Sequence, residues 1–130
     1  MYITLFLESF IVGDYLIDNR VVSFFLDEGI CDNDFFDYMN GRVVYIPSGS
    51  DVFWYGCHPI LRNNKLFDIR VVVPIIETKF DIVVNIHEFT HAIELYKELG
   101  TFYDDDTNNR EERAHIMEKK YLEKQSLKVL

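Results

Sequence analysis

Hydrophobic and polar positions change period several times along this chain. From Leu5 to Leu26, Phe, Leu, Ile and Val dominate, with acidic residues and Arg20 scattered among them and Gly13 interrupting, which predicts one or two helices within an N-terminal helical part, residues 1–40. Gly29 to Gly41 is acidic and turn-rich, with a short helix expected around Phe35 to Met39. Residues 41–77 change to strand patterning. Asn40-Gly41 marks a turn before Arg42 to Ile46, Pro47-Ser48-Gly49-Ser50 ends that strand, and Asn63-Asn64 separates Pro59 to Arg62 from Lys65 to Ile76 as a hairpin. In the last strand Phe67, Ile69, Val71, Val73 and Ile75 share one face and Asp68 and Arg70 the other. Pro74 cannot donate to a ladder, which places this strand at or near a sheet edge.

A helical period then takes over. Asp81 is the expected N-cap of a helix from Ile82 to Leu99, stopped by Gly100. Ile86, Phe89, Ala92, Ile93, Leu95, Tyr96 and Leu99 fill one half of its wheel. His87, Thr90, His91, Glu94, Lys97 and Glu98 fill the other, and Glu88 falls on the apolar flank. The Thr101–Asn109 loop holds Asp104-Asp105-Asp106, a solvated stretch without the spacing or glycine of a calcium loop. A second helix is expected over residues 110–124, and residues 125–130 read as a tail. The class is α+β: a small antiparallel sheet packed on two helices, with N-terminal helices, in one domain of 130 residues.

Composition narrows the partners. A net charge of −9 repels nucleic acid phosphates and anionic membranes but not a divalent cation. No apolar run reaches the roughly 18 residues of a membrane-spanning helix, so a soluble, cytoplasmic protein is expected. Two cysteines, Cys31 and Cys57, are too few for a disulfide scaffold.

The chemistry concentrates in His87-Glu88-Phe89-Thr90-His91, an H-E-x-x-H pattern. Histidines four apart on a helix share a face and can reach one metal ion, with the glutamate between them placed to work on a metal-bound water. A chance match on a solvated helical face is the competing reading. Against it, Glu88 sits on an apolar flank where a lone carboxylate is costly, and the neighbours Val84, Asn85, Ile86, Ala92 and Ile93 are uncharged.

Catalytic zinc sites need a third protein ligand. A metzincin would carry glycine at 94 and histidine at 97, where Glu94 and Lys97 stand. Cys57, in Tyr55-Gly56-Cys57-His58, would complete a site resembling that of peptide deformylase, although the other motifs of that family are not apparent. Glu111, twenty residues past His91, opens Glu111-Glu112-Arg113-Ala114; it falls on a stripe with Ala114, Met117, Glu118 and Tyr121, and the small Ala114 permits close helix approach. Glu112 is the fallback, and Asn108-x-x-Glu111 also reads as a capping box. His58, beside Pro59, reads as a strand-start residue, and Trp54 and Tyr55 as core.

With H-E-x-x-H on one helix and Glu111-Glu112-Arg113-Ala114 on the next, residues 65 to 122 resemble the gluzincin metallopeptidases, in particular the minigluzincins. The resemblance implies zinc held by His87, His91 and Glu111, with Glu88 as general base and proton shuttle. It implies an edge strand along the cleft, Asp68 to Ile76 here, and possible latency with residues 125–130 in that cleft, as in a zymogen. The chain departs from thermolysin-like gluzincins four residues after the ligand glutamate. There His115 replaces the aspartate that orients a zinc histidine. His115, Tyr103 and Tyr121 are the candidate oxyanion helpers. The expected function is a zinc-dependent metallopeptidase acting on a peptide or protein; the alternatives are a catalytically silent zinc-binding module and a deformylase-like amide hydrolase using Cys57.

Overall fold

The computed structural model describes residues 17–48 and 55–129. Its element order is α1 (Asn19–Glu28), α2 (Asn33–Met39), β1 (Val43–Ile46), β2 (Gly56–Arg62), β3 (Lys65–Pro74), α3 (Lys79–Lys97) and α4 (Thr107–Val129). The class is α+β. Expected helix within residues 5–16, Trp54 and residue 130 lie outside the described residues. No helix among the described residues is long and apolar enough to cross a membrane.

Local signals set most boundaries. Asp18 caps α1 by accepting the Arg20 amide at 2.8 Å, and Gly29, at φ 71°, ends it. Asp32 caps α2 through the amide of Phe35. Asn63 and Asn64 both take positive φ, 55° and 64°, and close the β2–β3 hairpin. The cap of α3 is Thr78 rather than Asp81. Asp81 sits three residues into the helix and completes a capping box, its carboxylate accepting the amides of Glu77 and Thr78 at 2.9 Å each and the Ser48 hydroxyl at 2.7 Å.

The sheet order is β1-β3-β2, with β2 antiparallel and β1 parallel to β3. The sheet is therefore mixed, where strand patterning suggested antiparallel pairing throughout. β3 is central rather than at an edge. Pro74 is tolerated because it lies at the end of β3, past Val72, where the pairing with β2 begins at Gly56. A bulge also breaks the expected alternation. Ile60 and Leu61 are adjacent but face Asp68 and Leu66, leaving Phe67 as the extra residue. Leu66 consequently joins Ile69, Val71 and Val73 in the core, while Phe67 is 52% exposed with the Arg62 guanidinium 4.0 Å from its ring centroid.

Helix α3 packs across the core face of the sheet and α4 packs on α3, with Phe24 and Phe25 of α1 in the same core. Buried Asn85 ties α3 to the strand end by donating to the Pro74 carbonyl at 3.1 Å. Ala114 is fully buried, and Met117 and Tyr121 follow it along the inward stripe of α4. Residues 125–129 continue α4 instead of forming a tail, and Gln125 lies beside Asn19 and Arg20 of α1, not in the cleft described below.

Candidate metal centre

The histidine-bearing half of α3 is not a solvated face, because α4 covers it. Glu94 pairs with Arg113 of α4, and Thr90 is buried with its hydroxyl donating to the Ile86 carbonyl at 2.7 Å. His87 and His91 are left with side chains 15% and 13% exposed.

Three candidate ligands converge. The Nε2 atoms of His87 and His91 stand 3.2 Å apart. Glu111 Oε1 lies 2.7 Å from His91 Nε2 and 3.4 Å from His87 Nε2. Tetrahedral ligands about 2.0–2.1 Å from a zinc ion are separated by roughly 3.3 Å, so the triangle needs only a small expansion on the His91–Glu111 side. A nitrogen–nitrogen–oxygen donor set of this kind suits zinc chemically. The other candidates for the third position fare differently. Glu112 is exposed, and Asn108 lies within the first turn of α4. Cys57 lines the adjoining cleft, its thiol pushed far above the ordinary range by burial, reinforced by the charge of Glu88.

The cleft, about 330 Å³, opens beside this triangle. Tyr55, Gly56, Cys57 and Pro59 of the β2 side form one wall, Glu88, His91 and Leu95 the floor, and Tyr103, Asp105, Thr107, Arg110 and Glu111 the other wall. The strand along the cleft is thus β2, not the Asp68–Ile76 segment. His58 is exposed in β2, against Gly56, and no ligand to the triangle.

Charge follows burial. Burial pushes the Glu88 carboxyl up to about 7; the positive charge of His87 opposes this, and Glu111 and Glu118 add to it. Burial and the neighbouring His87 lower the pKa of His91. For Glu111, burial acts upward, but His87 and His91 outweigh it and hold the carboxyl below its usual value.

The oxyanion candidates separate. Tyr103 lines the cleft, held there because the segment after α3 pairs back onto the hairpin: its amide donates to the Asn64 carbonyl at 3.0 Å. Tyr121 is buried in the core edge-on to Phe24, remote from the triangle. His115 packs edge-on against His87, ring centroids 5.0 Å apart, with its Nε2 3.7 Å from Glu111 Oε2, and is not among the residues lining the cleft.

Two residues at the site were given no role by the motif. Arg110 is 8% exposed and braces the start of α4 against the end of α3 through Glu98 at 2.7 Å and the Asp104 carbonyl at 3.1 Å. It therefore sets the position of Glu111, one residue on. Glu118 Oε2 lies 3.4 Å from His87 Nδ1. The available signal was its place on the Glu111–Ala114 stripe. Comparison of the chain with protein-family models, curated proteins and solved structures finds no match.

Proposed function

We propose that this protein is a zinc-dependent metallopeptidase with His87, His91 and Glu111 as the metal ligands and Glu88 as the general base. The observation that carries the reading is the closure of the H-E-x-x-H pair by Glu111, within 3.4 Å of both imidazoles, at the wall of a cleft floored by Glu88. When bound, zinc would supply Lewis acidity toward the scissile carbonyl and toward water. The protein's own groups do the rest. Glu88, half-buried and poised near neutrality, takes a proton from water and returns it to the leaving amine. β2 offers a strand along the cleft for an extended peptide. Tyr103 is the hydroxyl best placed to meet a developing oxyanion.

The test is hydrolysis of a peptide library by the zinc-loaded protein and by Glu88→Gln. The expected result is cleavage by the first, and zinc retention without cleavage by the second. Equal turnover by both would remove Glu88 from the mechanism. Zinc binding with no cleavage by either would favour the silent zinc-binding module.

A further inference from the structure

We propose that Glu118 is the residue that holds His87 in its metal-binding tautomer, with His115 holding Glu118 in turn; this rests on the metal reading above. An imidazole that presents one nitrogen as a lone pair must carry its proton on the other, and that proton needs an acceptor. His87 turns Nε2 toward His91 Nε2 and toward Glu111 Oε2, each 3.2 Å away, so a metal taken between them needs the lone pair on Nε2 and leaves the proton on Nδ1. The group at Nδ1 is Glu118 Oε2, 3.4 Å away, on a side chain only 20% exposed.

The spacing on α4 explains how one helix serves both nitrogens. Glu111 and Glu118 are seven residues apart, two turns, and so project from one stripe about 10 Å apart along the axis. That separation spans an imidazole and the contact on either side of it. His115 lies one turn after Glu111 on the same stripe. Its Nδ1 is 2.5 Å from the same Glu118 oxygen, and its ring packs edge-on to His87 at 61°. His115 occupies the place of the orienting aspartate, and the carboxylate arrives three residues later. The carboxylate facing His87 Nδ1 is thus supplied by Glu118.

A surface ion pair between His115 and Glu118 is the ordinary alternative. It predicts that Glu118→Ala and His115→Ala behave alike and leave metal affinity untouched. A second alternative makes His87, His115 and Glu118 an outer metal site, since their ligand atoms lie within 4.8 Å of one another. That site would require both ring nitrogens of His87 to be deprotonated when the inner position is filled.

The experiment measures zinc affinity by competition with a chromophoric chelator for the wild type, Glu118→Ala, Glu118→Gln and His115→Ala. It is paired with long-range nitrogen–proton NMR of the His87 ring in the zinc-loaded proteins. Expected are a roughly 10–100-fold loss of zinc affinity in Glu118→Ala, partial rescue in Glu118→Gln, whose amide oxygen still accepts, and a smaller loss in His115→Ala. In the zinc-loaded wild type the Nδ1 proton of His87 should be held against exchange and visible, and Glu118→Ala should lose that signal. Zinc affinity within twofold of wild type together with an unchanged His87 Nδ1 proton signal in Glu118→Ala overturns the role. So does binding of two ions per chain with the second lost in His115→Ala. A wild type that binds no zinc overturns the metal reading, and the positioning role with it. Zinc binding by the wild type with no effect of Glu118→Ala overturns the positioning role alone.

Discussion

Replacing Glu88 with glutamine should make the metal-free protein more stable while removing the proposed general base. The carboxyl is half-buried at the floor of the cleft and pushed from 4.5 to about 7, principally by its loss of solvent and further by Glu111 and Glu118, against the pull of His87. A folded-state pKa raised above the unfolded value means that the native state holds a proton the unfolded chain releases. The contribution of this group to stability is then fully present below about pH 4.5 and is lost as pH rises through about 7. At about 1.4 kcal/mol per pKa unit, the ionised carboxylate costs the folded state about 3 kcal/mol at pH 8. Glutamine keeps the shape and removes the ionisation. Urea unfolding with a metal chelator present should therefore show Glu88→Gln more stable than wild type by about 2–3 kcal/mol at pH 8 and by under about 1 kcal/mol at pH 5, with an unchanged denaturant slope. Equal stabilities at pH 8, or a gain of the same size at both pH values, would refute the reasoning.

Further outcomes follow from other contacts. Asp68 is pushed up by burial but held at about 2 by Arg42, the Ile69 amide, Tyr38 and Arg70; Asp68→Asn should cost about 2 kcal/mol at neutral pH, with the difference vanishing as acid unfolding curves are taken from pH 4 down to 2. Ala114 is fully buried where α4 meets α3; Ala114→Leu should cost about 1–3 kcal/mol in denaturant unfolding and weaken zinc binding by moving Glu111 off the histidines. Cys57→Ser should leave zinc affinity within a few-fold of wild type while Glu111→Ala abolishes tight binding, as read by chelator competition; the reverse ranking would establish the cysteine-ligand site.

The parts legible in the sequence are those with short-range causes. Asn63-Asn64 announced a hairpin because asparagine tolerates the left-handed conformation both residues adopt. The helix bearing His87 and His91 announced itself by period, and Ala114 by its size. The parts that were not legible depend on partners distant in the chain. Nothing near Val43–Ile46 says that it will lie parallel to β3. The bulge at Phe67 reverses the expected inward and outward faces at the start of β3, since a single extra residue shifts a period of two. The polar half of α3 reads as solvated until α4 is laid over it. Glu118 lacked a role for the same reason: its significance appears only when Nδ1 of His87 is found beside it.

Three carboxylates inside this fold differ in a way that separates structure from chemistry. Asp68 accepts hydrogen bonds from Arg42, Tyr38, Arg70 and the Ile69 amide, and Asp81 from Ser48 and the amides of Glu77 and Thr78. Both are surrounded by donors that stabilise the anion, and both hold pKa values below the ordinary range. Glu88 is the opposite case: among the described residues none donates a hydrogen bond to it, its neighbours include two further glutamates, and it faces the cleft. A fold that supplies each structural carboxylate with three or more donors has the means to satisfy a buried acid. Leaving Glu88 without them costs stability that a structural residue would not need to spend. The same environment keeps its proton affinity near neutrality, where a general base works best, and a divalent cation beside Glu111 would relieve the repulsion among the acids. Opposite stability effects are therefore expected from neutralising two buried carboxylates at pH 8, a loss for Asp68→Asn and a gain for Glu88→Gln in the metal-free protein, with zinc reducing the gain.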